Sequence, residues 1–468
     1  MPTRDSGRFR VPTEEHPAGT TGEFVTSEVR RPAREGWRVV ALARDRIVQP
    51  VGMARRFLDG LGPGLIAGAA DDDPSGISTY STAGAAFGFA TLWTALFSFP
   101  LMVGVQLMCA RIGMVSGRGL ANVLRKFYSR PLLLFALTLL IVANTVNIAA
   151  DLGGMADATA MLTGSDRLWY EPAYAVIILA VLIFGSYRTI VRIFKWLTLV
   201  LFAYVIAAFL SQPDWAAVLR ATFVPRMQFT RPFLMTLVAI FGTTISPYLF
   251  FWQAAQAVEV DKAAGKETTV ARMGATREEL RAARTDVVTG MFFSNFIMYF
   301  IILTTGATLH AHGQTEIATA TQAAEALRPL AGRFASLLFA FGLIGTGLLG
   351  VPVLAGSVAY AVAEAGGWRM GMDAKVNHAK RFYTVLGVAM LAGMAMDFAK
   401  LDAIKMLFWS AVLNGVLAPP LIVIILLVCN NPRVMMEHVN GRWLNILGGA
   451  CALVMGAAAI AMIWSFIY

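Results

Sequence analysis

Charge-free stretches in this chain are too long and too frequent for a water-soluble fold. Positions 334–363, 232–258 and 443–468 contain no Asp, Glu, Lys or Arg. At ~1.5 Å per helical residue, each is long enough to cross a hydrocarbon core of ~30 Å. Only 15% of the 468 residues are charged and 57% are hydrophobic, whereas a soluble domain carries about 25% charged residues. These runs predict an all-α polytopic membrane protein whose surroundings are the lipid bilayer.

Eleven spans are expected, near 61–87, 91–115, 132–162, 171–186, 191–211, 233–259, 285–309, 333–363, 382–398, 403–429 and 443–467. The net charge of +10 falls at the ends of apolar runs and in the N-terminal tail. It is therefore read as topology rather than as a nucleic-acid surface. Lys and Arg concentrate in the loops at 111–130, 260–284 and 366–381, and the loops between these are basic-poor, apart from 212–232 with Arg220, Arg226 and Arg231. That pattern predicts a cytoplasmic N-terminus and, with an odd number of spans, an external C-terminus, in a bacterial inner (plasma) membrane. Residues 1–35 read as a disordered cytoplasmic tail, 36–59 as an interfacial amphipathic helix, and 261–284 as a solvated cytoplasmic helix. The transporter domain is expected over 60–467, with repeat one at about 60–212, repeat two at about 232–429 and an extra helix at 443–467. Cys109, Cys429 and Cys451 form no CxxC pair, and all five histidines lie outside the expected spans.

The first span contains Asp71-Asp72-Asp73-Pro74. One aspartate at the centre of a membrane helix costs roughly 2.5–3.5 kcal/mol on insertion scales, so three need a compensating partner. Asp73 precedes a proline, which pushes it out of helical geometry, and Gly76 follows. The helix is expected to unwind at 70–76, bringing freed carbonyls and carboxylates together, an oxygen-rich set suited to a hard divalent cation. The competing reading is a kink whose aspartates face a watery vestibule and bind nothing.

Five helices later the sixth span is interrupted at 242–247, with Thr243, Thr244, Ser246 and Tyr248 around Pro247. Matching breaks in two five-helix halves point to an inverted-repeat carrier with its site at the midplane. Taken alone, these hydroxyls would be read as hydrogen-bonding a kink. Asp151 lies inside the third span as a relay or supporting carboxylate, and Asn414 in the tenth span is read as packing glue.

The stretch GPGLIAGAADDDPSGISTYSTAGAAFGFATLW resembles the first-span signature of the Nramp divalent-metal transporters. SGRGLA at 116–121 resembles that family's segment after the second span, and FGTTISPY falls where the family has Met-Pro-His. The resemblance implies a LeuT-type fold of two inverted five-helix repeats plus an eleventh helix. It also implies a divalent metal ion as substrate, not as cofactor. On it, Asp73 is the family's aspartate ligand, and the carbonyls of Ala70 and Thr243 take the backbone-ligand roles. The family's asparagine is Gly76, its methionine Ser246 and its histidine Tyr248. Its second span-3 acid is Gly154, leaving Asp151 alone.

Exchanging a thioether for a hydroxyl removes the bias toward softer transition metals. The resemblance is thus to the Nramp-related magnesium transporters, which also accept Mn²⁺. Fewer side-chain ligands leave room for the water that Mg²⁺ retains. Loss of the histidine and second acid argues against proton coupling, with Asp151 the remaining group able to carry a proton. The metal set is expected to be Asp73, Ala70, Thr243, Ser246, Gly76 and Asp72. Asp151, Tyr248, Asn414 and Asp71 are relay or supporting candidates. Alternatives are a proton-coupled Mn/Fe transporter, an organic-solute symporter whose anionic substrate three aspartates would repel, and an intramembrane enzyme using Asp73 and Asp151.

Overall fold

The computed structural model describes residues 62–185, 199–397 and 402–467, all within one compact unit, Ala54–Tyr468. The expected tail and interfacial helix, and the start of the fifth span, lie outside the described residues. Within the expected spans the described residues are helical apart from the breaks at Asp72-Asp73 and Ile245-Ser246 and a few span-end residues. In chain order the helices are α1 (Pro63–Asp71), α2 (Pro74–Phe87), α3 (Trp93–Ser116), α4 (Leu120–Phe127) and α5 (Arg130–Thr163). Next come α6 (Tyr170–Phe184), α7 (Phe202–Leu210), α8 (Trp215–Phe223), α9 (Arg231–Thr244) and α10 (Pro247–Ala263). The last are α11 (Arg277–Thr308), α12 (Ala335–Gly366), α13 (Lys380–Asp397), α14 (Ala403–Cys429) and α15 (Arg442–Ile467).

Among the described residues, eight helices are long and apolar enough to cross a membrane. The other three expected spans are the broken pair α1–α2, the partly described α7, and α13 of 18 residues. The expectation for 261–284 is corrected. This segment is no single solvated helix: it holds one turn at Thr269–Arg272, and α11 starts at Arg277 behind a Thr276–Glu279 capping box. Arg272 is buried there, its guanidinium donating to the Lys266 and Glu267 carbonyls at 2.8 and 2.6 Å.

The two breaks have the same construction. Each leaves two residues out of helical geometry, Asp72-Asp73 and Ile245-Ser246, and a proline opens the helix that follows. Asp73 and Ser246, each held extended before its proline, have ψ of 173° and 133°. The broken pairs also lean on corresponding partners. The pair α1–α2 packs along α11, and α10 packs along α3, each being the second helix of the opposite repeat. At the α1–α11 seam the backbones touch: a β-carbon on Gly68 would overlap the Gly290 carbonyl, and one on Gly64 would lie 2.7 Å from the Val287 backbone. The long α5 packs on α12, α13 and α14, and so backs both breaks. Around them Tyr80, Tyr248, Trp252 and Tyr360 are fully buried.

Candidate cation site at two broken helices

The prolines decide which carbonyls are free. In an unbroken helix the Ala70 carbonyl would accept from the N–H of residue 74, and the Thr243 carbonyl from residue 247. Both positions are proline, which has no N–H. Each orphaned carbonyl is met instead by a side-chain hydroxyl. Tyr248 donates to Ala70 O at 2.8 Å, and the Ser246 hydroxyl lies 2.7 Å from Thr243 O and 3.0 Å from Gly242 O. A carbonyl has two lone pairs, so each still has a site for a further ligand.

Asp73 caps α2. Its Oδ1 accepts from the Gly76 N–H at 2.9 Å and from the Ser75 hydroxyl at 2.6 Å. Its Oδ2 accepts from the Asn147 amide at 3.2 Å, with the Tyr248 hydroxyl at 3.5 Å. Asp71 Oδ2 and Asp72 Oδ1 lie 2.7 and 3.3 Å from the Ser294 hydroxyl on α11, so these two acids face a different helix from Asp73. Asp151 on α5 is fully buried, and no side chain hydrogen-bonds either of its oxygens; the Ser75 N–H is the donor that faces it. Among the described residues, no Lys, Arg or His forms an ion pair with any of these four carboxylates.

Gly350 on α12 shows how close the groups come. A β-carbon there would sit 3.1 Å from Asp73 Cβ, 3.8 Å from Asp151 Oδ2 and 3.9 Å from Ala70 O. The absence of a side chain at Gly350 lets α12 approach Asp73, Asp151 and the freed carbonyl this closely. All of these groups are sealed from solvent, with Asp72 the most exposed carboxylate at 4%. Buried anions without counter-charges are costly unless a cation or a proton neutralises them. Among the described residues, no three His, Cys, Asp or Glu side chains gather at metal-ligand distance, so a cation held here would have to draw further donors from backbone and neutral oxygens.

The structure thus brings Asp73, Ala70, Asp151, Tyr248 and Gly76 together. Thr243 and Ser246 form the second break, and the Thr243 hydroxyl lies 3.0 Å from that of Tyr80 on α2. Asn414 is buried on α14 with its amide nitrogen unpartnered, and no hydrogen bond joins it to Asp73. A β-carbon on Gly154 would meet Leu407 at 2.9 Å, so that position is a packing contact here. Sequence reasoning missed Asn147, which is buried on α5, bonded to Asp73, and has its own Oδ1 unpartnered. The available signal was spacing: Asn144, Asn147 and Asp151 fall at i, i+3 and i+7 on one helix face.

A family model for natural resistance-associated macrophage protein-like (Nramp) proteins matches residues 64–465. A divalent metal cation transporter MntH of Deinococcus radiodurans is 28% identical over 422 residues, spanning 88% of this chain and 91% of that protein. An MntH of Klebsiella pneumoniae is 25% identical over 394 residues, spanning 83% and 89%. Among solved structures, an Eremococcus coleocola manganese transporter superposes with a TM-score of 0.68 at 19% identity, covering 90% of this chain and 89% of that one. MhsT in complex with L-phenylalanine superposes with a TM-score of 0.54 at 13% identity, covering 87% and 98%. At these identities the structural likenesses speak for the fold alone, and that fold is the LeuT type, two inverted five-helix repeats with a helix added. The relatives are named as metal cation transporters, not enzymes. The family match runs through both breaks and on to α15, and this chain is an integral membrane protein of the Nramp family.

Proposed function

We propose that this protein carries divalent metal cations across the membrane by alternating access, Mg²⁺ foremost with Mn²⁺ also accepted. The observation that carries the reading is the set of buried carboxylates at the first break, which have no cationic side chain beside them. Asp73 is the charged ligand, joined by the Ala70 and Thr243 carbonyls. Asp151 approaches the same Gly350 backbone, and with no side-chain partner it is suited to accept hydrogen bonds from metal-bound water. Asp71 and Asp72 add negative potential from the α11 side.

The donor set contains only hard oxygens, which favours Mg²⁺, an ion that keeps several waters and needs one or two carboxylates. Neither the thioether that would favour Mn²⁺ or Fe²⁺ nor an imidazole is present at the second break. Proton coupling has Asp151 as its only candidate at the site, and we take transport to be uncoupled. The carbonyl-rich faces of α1 and α9 rock about the two breaks, exposing the site to each side in turn. The basic ends of α3, α10 and α12 face the cytoplasm, in a bacterial inner membrane, with the C-terminus outside.

The manganese-selective reading of the same site is favoured by the names of the solved relatives. Uptake into proteoliposomes separates the two. Asp73→Ala is expected to abolish Mg²⁺ and Mn²⁺ uptake, and retained uptake would overturn the assignment. In the parent protein, Mg²⁺ uptake without acidification of a pH-sensitive dye is the expected result. Uptake of Mn²⁺ alone, with proton entry, would favour the second reading.

A further inference from the structure

A second cavity lies at the basic end of the bundle, away from the aspartates. It has a volume of about 330 Å³ and sits where the α3–α4 turn, the end of α10, the α10–α11 connection and the α12–α13 connection meet. Four cationic side chains line it, Arg118, Lys262, Arg272 and Arg369, against one carboxylate, Glu267. An adjoining cavity of about 340 Å³ shares Trp368, Arg369 and His378 with it and adds Lys380 and Arg381. The Arg381 guanidinium stands over the Trp368 ring at 5.3 Å.

Two of these four side chains, Arg118 and Arg369, have no carboxylate partner among the described residues, whereas Lys262 also acts on Glu364 and Arg272 on Asp261. Lys262 pairs with Glu259 at 2.7 Å. Arg118 donates only to the neutral Asn122 amide oxygen at 3.2 Å. Arg272 is fixed by backbone carbonyls, which orient it without cancelling its charge. Arg369 is exposed and forms no ion pair among the described residues. Burial first, then the neighbouring Arg272 and Arg125 charges, lowers the Arg118 guanidinium from its ordinary value. Loop charges that merely set orientation repel and spread apart in water. Here loops from both repeats draw them around one concavity. Its lining charge is of the opposite sign to that of the aspartate cluster.

We propose that this cavity binds a phosphate or diphosphate group, carried either by a soluble compound or by an anionic lipid headgroup. Guanidinium forks match phosphate oxygens and hold them with paired, charge-assisted hydrogen bonds. A bound phosphate would tie the 117–119 turn of repeat one to the 262–272 and 368–379 segments of repeat two. It would thereby favour the conformation in which these loops are close together.

The test uses the full-length protein in detergent and in nanodiscs, in divalent-free buffer. Inorganic pyrophosphate is titrated by calorimetry and by thermal unfolding. Saturable binding that raises the unfolding temperature is expected, weakened about tenfold or more in Arg369→Gln and Arg118→Gln. Arg369 is exposed, so its variant is expected to fold, as checked by an unchanged elution profile. Asp73→Ala is expected to bind pyrophosphate like the parent, which separates this site from the cation site. Stabilisation seen only in nanodiscs containing anionic phospholipid, and lost in Arg369→Gln, would assign the lipid source. Binding of neither probe, or binding unchanged in both arginine variants, overturns the proposal.

Discussion

The two breaks share a backbone and differ in chemistry. At the first, three carboxylates cluster at the junction of α1 and α2, and a fourth, Asp151, stands nearby with no side-chain partner. At the second, the Thr244 and Ser246 hydroxyls fold back onto carbonyls of α9, at 2.9 Å from Ile240 O and 2.7 Å from Thr243 O. The first break is electrically incomplete and the second is internally satisfied. Under the proposed function, these pseudo-symmetric helices would divide the labour: the α1–α2 break would hold the charge that an ion neutralises, and the α9–α10 break would offer neutral oxygens. The helix starts differ too. The N-terminus of α1 is capped from α11, where Asp286 accepts from the Gly64 and Leu65 N–H groups at 2.7 and 3.3 Å. The N-terminus of α9, at Thr230, has no side-chain cap.

The largest effect that would break this contrast is at Asp151. Asp151→Asn is expected to lower Mg²⁺ uptake about tenfold or more, equivalent to ~1.4 kcal/mol or above. The same change removes a buried carboxylate that has no ion-pair partner, so the unfolding temperature is expected to rise. Full uptake in this variant, or a loss of stability, would show that the first break is not the charged half of the site. A smaller effect is expected at Ser246. Ser246→Met withdraws the hydroxyl from Thr243 O and offers sulfur, and competition uptake should shift by about tenfold toward Mn²⁺ or Cd²⁺. Unchanged relative rates would mean that the second break takes no part in choosing the ion. The smallest effect concerns Asp286. Asp286→Asn keeps an acceptor but loses the charge facing the α1 N-terminus, a cost of about 0.5–1 kcal/mol. It is read as a modest drop in unfolding temperature, and no drop would mean that the cap does not hold α1.

The breaks were legible because proline constrains its own nitrogen and the residue before it, whatever the tertiary context. Asp73 was singled out by that chain geometry and by the family signature, and Ala70 and Thr243 by the family signature alone. Asn147 was not legible in the same way: an asparagine in an apolar helix carries no motif, and its bond to Asp73 depends on how α5 is rotated against the break. Gly350 was hidden among many glycines in an apolar span, and only the approach of α12 to Asp73 and Asp151 gives it meaning. The 261–284 segment was misread because mixed charge suggested a solvated helix. Instead Arg272 is buried and donates to the Gly117 carbonyl, and between α10 and α11 the one helical turn is Thr269–Arg272.

The missing amide protons at positions 74 and 247 have an evolutionary consequence. Any other residue at either place restores a donor to the oxygen one turn back, and that oxygen would be drawn into ordinary helical pairing whatever the new side chain. Tolerance at these two points is therefore governed by ring closure on nitrogen rather than by size, charge or polarity. A screen of all substitutions should find alanine there no gentler than tryptophan at keeping those oxygens free for cargo.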